Sequence, residues 1–442
     1  MSRYAVAIET QDGARGEYVT HWVGTPAALG QTLMLAPHLI GRDPDTRVEI
    51  WEDMKREIRA YDHMGHGPID IALWDLAGKR LGASVARMLG GYGKRLPTYA
   101  STYHGQDVKG GLDTPEAFAD YAAACKEQGF AGFKIHGWNN GDVAREVRNV
   151  LGVRAAVGDG FPLMLDPACQ LRTWMDALRV GRACDEAGFF WYEDPYRDAG
   201  VSAEGHKRLR EKLATPLLVS EHVRTIEQKA AFLMAGGCDM IHADPEYDMG
   251  ITGAVKLAHL CEAFGLDLQF HACGPAHRAV ISATRNTHFY EMALVGPGMA
   301  NAVPPVYTCG YSDQPQDLGR TAACRSRRPR PRRHLRLGLY REAPDRASCS
   351  AGEQAPSSSE TFATAGAKPQ SVTSPCVPSV CSSSPSTISS AAYRQWIFVP
   401  NWRLYGTCWR RSPSTAETSQ PRLCTKAQGQ AVSPGTIIHS RS

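Results

Sequence analysis

Residues 189–195 read FFWYEDP, an apolar run that stops on two acids and a proline. A short aromatic-rich run of this kind fits a strand buried on both faces, and Pro195 marks its end. The same pattern recurs to either side. Residues 163–166 read LMLD and residues 217–221 read LLVSE, so that Asp166, Glu193 and Glu221 follow one another at intervals of 27 and 28 residues. Further out lie GFKIH at 132–136, MIHAD at 240–244 and LQFH at 268–271, with Thr98–Thr102 and Phe289–Leu294 completing eight runs. Helical patterns fit between them, for example Pro115–Gln128, Asp176–Ala187 and Gly253–Phe264. The alternation predicts an α/β chain with a (β/α)7β TIM-like barrel over residues 96–318. A doubly wound sheet alternates in the same way, and periodicity alone leaves it open.

Toward the N-terminus, Tyr4–Glu9 alternates, Asp12-Gly13 supplies a turn, and Gly16–Val23 resumes strand-like residues, which reads as a hairpin. Residues 26–60 are helical in period, and PIDIALWDLAGKRL at 68–81 is an amphipathic helix with proline in its first turn. Residues 1–95 are therefore expected to form a partial α+β capping domain. After about Leu318 the composition changes. Residues 325–336 are an Arg/Pro run and 347–392 are rich in Ser, Thr, Ala and Pro. Such a segment buries too little apolar surface to offset its ordering entropy, so 319–442 is expected to be a disordered tail.

The formal net charge of +4 conceals this division. Residues 1–320 hold 32 Lys+Arg against 40 Asp+Glu, and residues 321–442 hold 17 against 5. The thirteen cysteines show no CxxC pair and no framework spacing, which points to reduced thiols. With no apolar leader and no membrane-length stretch, a cytoplasmic protein without a membrane partner is expected.

Barrel enzymes place their chemistry at the C-terminal ends of the strands. Here seven of the eight runs carry a residue able to do chemistry: Lys134 and His136, Asp166, Glu193, Glu221, Asp244, His271 and Glu291. One acid after an apolar run is adequately explained as the start of a polar loop; a regular series is not. Asp166, Glu193 and Glu221 come from adjacent strands, so their carboxylates can converge as hard oxygen ligands suited to Mg²⁺. Lys134 and His136 are two apart on a strand and face one way. Asp244 can hydrogen-bond and orient His271.

This series resembles the mandelate racemase/muconate lactonizing branch of the enolase superfamily. PIDIALWDLAGKRLGASVARMLGG at 68–91, WYEDP at 191–195 and MGITGAVKLAHLCEAFG at 249–265 resemble that family's cap-to-barrel helix, fourth-strand ligand and sixth helix. The resemblance covers roughly residues 4–318. It implies abstraction of the proton next to a carboxylate, with Mg²⁺ and a Lys or His base stabilising an enediolate. It also implies that His136, which stands where the family has a second lysine, is one acid/base, with Lys134 binding the carboxylate. His271–Asp244 is then the opposite acid/base, and Glu291 hydrogen-bonds a substrate carboxylate oxygen. His104, His222, Arg224 and His277 lie near strand ends and could address hydroxyls.

With acid/base groups on two faces, one intermediate has two outcomes. Proton return to the same carbon gives an epimer; protonation of a departing β-hydroxyl gives a 2-keto-3-deoxy acid. Dehydration of a sugar acid is the favoured expectation, with a racemase or epimerase as the alternative. The family pattern includes a further N-terminal strand and a lid loop, which this chain is expected to lack. Relatives end in a stretch like GPGLGVTYDW. When Arg325–Asp345 is reverse-translated with free wobble bases and read one nucleotide later, GPDGPGLGVTYDWDYIEKHR is permitted. The tail is therefore expected to be out of frame, which explains the Arg run without a nucleic-acid partner. A third expectation, of another class, is an inactive remnant. The family's habit of self-assembly implies a homo-oligomer if the cap folds.

Overall fold

The computed structural model describes residues 3–91 and 96–298, and beyond them only the backbone of three short strands, Ala323–Cys324, Arg394–Ile397 and Tyr405–Cys408. The expected disorder over 319–442 and the out-of-frame reading otherwise lie outside the described residues.

The N-terminal hairpin pairs β1 (Ala5–Glu9) with β2 (Arg15–Val19), antiparallel, around a turn in which Gly13 takes φ +80°. Helices α1 (Pro26–Leu35), α2 (Arg47–Glu57), α3 (Gly67–Leu81) and α4 (Val85–Met88) follow. Helix α3 carries Pro68 in its first turn, as its sequence predicts, and is capped by Gly82 in the left-handed conformation. Strand β2 lies close on α3: a Cβ at Gly16 would sit 2.1 Å from the Ala72 carbonyl oxygen, so only glycine permits this approach. Ile50, Met54, Ile58, Ile69, Leu73 and Leu35 form the small core of this region.

Eight parallel strands follow in alternation with helices: β3 (Leu96–Thr102), β4 (Gly132–His136), β5 (Leu163–Asp166), β6 (Trp191–Glu193), β7 (Leu217–Val219), β8 (Met240–Ala243), β9 (Leu268–Phe270) and β10 (Tyr290–Val295). The intervening helices are α5 (Pro115–Glu127), α6 (Val143–Val157), α7 (Trp174–Glu186), α8 (Ala203–Arg210), α9 (Ile226–Met234), α10 (Gly250–Ala263) and α11 (Pro275–Ala283). The order β10-β3-β4-β5-β6-β7-β8-β9 is that of a nearly closed barrel, and the doubly wound alternative is eliminated. Among the described residues no ladder joins β9 to β10. That seam is bridged instead by Leu268 N to the Asn286 carbonyl (2.9 Å) and by Gln269 Nε2 to the Phe289 carbonyl (3.0 Å).

Local chemistry starts the barrel helices. Thr114, Asp142, Thr173, Ser202 and Thr225 each accept from the amide three residues on, the N-cap bond that satisfies an otherwise orphaned donor. Inside the barrel, Tyr99, Met164, Trp191, Leu218, Met240 and Phe289 form an apolar plug. Tyr99 meets Trp191 edge to face at 5.6 Å. Above this plug the inward positions become polar, and there the site is built.

Candidate active site

Lys134 is fully buried at the centre of that polar layer, where its Nζ lies 2.8 Å from Glu193 Oε1, 3.0 Å from Glu291 Oε1 and 3.5 Å from Asp166 Oδ2. Burial alone would lower its pKa, but Glu193 and Glu291 outweigh that and hold it well above the ordinary lysine value. The cation therefore persists without water. His136, two residues on, points the same way. Its Nδ1 lies 2.6 Å from the Thr102 carbonyl, and its Nε2 lies 2.9 Å from Asp166 Oδ2. Nδ1–H donating to a backbone carbonyl leaves Nε2 as the exchanging nitrogen.

Strands β5, β6 and β7 set Glu193 beside both other acids, hydrogen-bonded to Asp166 and with a ligand atom within 4.8 Å of one on Glu221. Glu193 is central: Trp191 Nε1 donates to its Oε2 at 2.9 Å, and its carboxyl is hydrogen-bonded to that of Asp166. Burial, then the Asp166 charge, push Glu193 well above the ordinary carboxylic range. Asp166 goes the other way: burial would raise it, but His136 and Lys134 hold it well below. Glu221, just past the end of β7, is partly exposed, and its Oε1 lies 3.4 Å from His271 Nε2.

His271 and Asp244 each lie one residue beyond their strand, joined by a 2.7 Å bond between His271 Nδ1 and Asp244 Oδ2. Burial would lower the imidazole's pKa, but the Glu221 charge and the Asp244 bond raise it to about 9. Tyr247 stacks on the ring at 5.3 Å, and Trp22, from the segment after β2, meets it edge-on at 6.0 Å. Glu291 accepts the Ala272 amide and faces Lys134. Burial would raise its pKa, and Lys134, then His271, lower it to about 2.

The four remaining sequence candidates lie around this centre. His104 is half-buried, its ring 5.0 Å from that of His136 and its Nδ1 3.3 Å from the Gly137 carbonyl. His222 is exposed, with Nε2 3.8 Å from Asp194 Oδ2. Arg224 bonds the Glu221 carbonyl and covers the face of Tyr247 at 4.7 Å. His277 is fully buried behind the dyad, with Nε2 3.1 Å from Asp244 Oδ1.

Several residues absent from the sequence reading also belong here. Glu246 accepts from Tyr18 Oη (2.5 Å) and from the amides of His21, Trp22 and Val23 (2.8, 2.8 and 2.7 Å), and so ties the segment after β2 to the barrel rim. His242 and Asp194 are buried beside the acids. The ligand atoms of Glu193, Glu221 and His242 all lie within 4.8 Å of one another, as do those of Cys169, Asp194 and His222. The signal for His242 was available, since it is two residues before Asp244 on one strand and must share its face.

Among known proteins, residues 2–90 match the family model described as mandelate racemase/muconate lactonizing enzyme, N-terminal domain, and residues 117–320 match enolase C-terminal domain-like. The L-talarate/galactarate dehydratase of Salmonella typhimurium is 28% identical over 279 residues, which is 61% of this chain and 67% of that protein. The crystal structure of D-glucarate dehydratase from Agrobacterium tumefaciens complexed with magnesium superposes with a TM-score of 0.61 at 30% identity, covering 67% of this chain and 79% of that one. A racemase from Streptomyces coelicolor A3(2) with bound magnesium gives 0.59 at 25% identity, covering 66% and 88%.

Proposed function

Because the chain belongs to the mandelate racemase/muconate lactonizing enzyme family of the enolase superfamily, we propose that it removes the proton next to a carboxylate and then eliminates water from a sugar acid, giving a 2-keto-3-deoxy acid. The observation that carries this reading is the arrangement of two proton-handling groups, Lys134/His136 on β4 and His271 after β9 with Asp244 after β8, on either side of a buried acid cluster. Both dehydratases and a racemase stand among the similar proteins, and proton removal next to a carboxylate can begin either reaction.

The acid cluster fits a divalent cation. Asp166, Glu193, Asp194, Glu221 and Glu291 crowd around one lysine and one raised histidine, and neither oxygen of the buried Asp194 has a hydrogen-bond partner. Burial and the Asp166 charge disfavour the Glu193 carboxylate even beside Lys134, and a bound cation would relieve that. The donors are carboxylate oxygens, as Mg²⁺ prefers, and the two solved relatives carry magnesium. Asp166, Glu193 and Glu221 would hold the ion, which would supply Lewis-acid charge to a substrate carboxylate. Lys134, its ammonium fixed by Glu193 and Glu291, adds a second positive charge for the same carboxylate. His136 takes the α-proton at Nε2, with Nδ1 anchored on Thr102. His271 stays protonated near neutrality and delivers its Nε2 proton to the departing hydroxyl. His277 positions Asp244, whereas His104, His222 and Arg224 line the mouth where hydroxyls would bind. Glu291 would hydrogen-bond a substrate carboxylate oxygen, which requires it to take up a proton from solvent as the substrate carboxylate draws Lys134 away from it.

A racemase or epimerase is the second reading, favoured by the same two-sided placement, because His271 could return its proton to the α-carbon. Incubation of the full chain with Mg²⁺ and a sugar-acid library in D₂O distinguishes them. A 2-keto-3-deoxy product establishes the dehydratase, and deuterium at C2 with inverted configuration and no dehydration establishes the racemase. If neither appears, and His136→Asn and Glu221→Gln behave like the parent, the chain is an inactive relative. The partner in either active case is a small carboxylic acid.

A further inference from the structure

We propose that His242 is a nitrogen ligand of the cation site, so that this site binds first-row transition ions in preference to Mg²⁺. The inference rests on the cation site proposed above and concerns which ion it selects.

Strand β8 presents Met240, His242 and the following Asp244 to one side by simple alternation. Met240 joins the apolar plug and Asp244 holds the His271 imidazole. His242, between them, is fully buried, with Nε2 3.4 Å from Glu193 Oε1 and Nδ1 4.0 Å from Glu221 Oε2. Neither ring nitrogen has a hydrogen-bond partner. Burying a polar atom without a partner is costly, so an imidazole kept here in that state points to a ligand. Its nearest charged neighbours are two of the three carboxylates that would hold the ion.

The spacing suits shared coordination. Ligands at ~2.1 Å from one octahedral ion lie about 3.0 Å apart when adjacent and about 4.2 Å apart when opposite. The ligand atoms of Glu193, Glu221 and His242 fall within 4.8 Å of one another, which small rotations would close around an ion. A neutral imidazole changes the selectivity of an otherwise all-oxygen set. Mg²⁺ gains little from nitrogen, whereas affinity for such a set rises from Mn²⁺ through Fe²⁺ to Co²⁺.

The test is spectroscopic and needs no turnover. The full chain is loaded with Mn²⁺ and examined by pulsed EPR, with and without ¹⁵N-histidine labelling. Nitrogen modulation that changes isotope with the label is expected; it should vanish in His242→Gln and survive in His271→Asn. In competition binding, Mn²⁺ should exceed Mg²⁺ by ~10-fold or more in the parent, with most of that margin lost in His242→Gln. Bound Mn²⁺ without histidine modulation, or modulation that survives in His242→Gln, overturns the inference and leaves the carboxylate site standing. Failure of both ions to bind overturns the cation site itself. The parent measurement keeps the question decidable if His242→Gln does not fold.

Discussion

Asp244 accepts from two imidazoles at once, His271 through Oδ2 at 2.7 Å and His277 through Oδ1 at 3.1 Å. One carboxylate thus fixes the ring that faces the site and is itself fixed from behind. His271 has a folded-state pKa of about 9, above the ordinary 6.5, so its cation and the stability that cation contributes persist below pH 6.5 and are lost as pH rises through 9. The alkaline limb of kcat for dehydration is expected above the ordinary imidazole value, held there by the Asp244 bond once a cation occupies Glu221. Asp244→Asn should move it at least ~1 unit toward neutrality while lowering kcat by about 10²–10⁴. A pH–kcat profile checks this, and a limb that stays in place in the variant would exclude the dyad as the acid.

Lys134→Met leaves Glu193, Glu291 and Asp166 without their shared ammonium. Removing one partner of a buried charged cluster costs about 3–5 kcal/mol, measured as a shift in the urea midpoint. Added Mg²⁺ should restore more stability to this variant than it adds to the parent, because the ion replaces the missing positive charge. Equal gains in both proteins would argue against a shared cluster.

Asp70 on α3 is fully buried and accepts from the Thr252 amide (3.0 Å) and hydroxyl (2.7 Å) at the start of α10. Burial raises its pKa from 3.8 to about 7. The folded chain then holds more protons than the unfolded one between those values, so stability falls as pH rises from about 4 to 7. Asp70→Asn keeps the shape and abolishes the titration. Thermal unfolding should show little difference at pH 5 and a gain of about 1–3 kcal/mol for the variant at pH 8.

Glu246→Ala removes three hydrogen bonds to the segment after β2 and one to Tyr18 on β2, and leaves the amides of His21, Trp22 and Val23 without this acceptor. A loss of about 3–5 kcal/mol is expected, together with faster amide exchange at residues 21–23. Since Trp22 covers His271 from that segment, KM should rise more than kcat falls. Unchanged exchange at those amides would mean that the hairpin is held elsewhere.

The barrel was legible because most of its strands are short apolar runs that end on, or just before, a charged or polar residue. WYEDP is read as a strand end with no structure in hand, and β6 does end on Glu193. Where a side chain went was less visible. Lys134 reads as one residue among many in GFKIH, and its three carboxylate partners come from strands 32 to 157 residues away in sequence. His242 was within reach of alternation but sits inside an apolar run, where a histidine draws no attention. Glu246 was illegible for a different reason. Its four donors lie more than 220 residues upstream, and no local pattern announces a carboxylate that will be buried against distant amides.

The seam between β9 and β10 gives the barrel a compliant line. Elsewhere a widening of the mouth would break parallel ladder bonds, whereas here, among the described residues, no ladder is present and the bonds across the line come from single groups such as Leu268 N, Gln269 Nε2, Ala272 N and Gly274 N. His271 follows one bank of that line and Glu291 stands on the other, linked through the Ala272 amide. The separation of the proton donor from the carboxylate-facing acid can therefore be adjusted one notch at a time by replacing a bridging side chain, leaving the strands that carry Asp166, Glu193 and Glu221 in register. For anyone re-aiming this scaffold at a longer or shorter acid, the seam is the tuning screw.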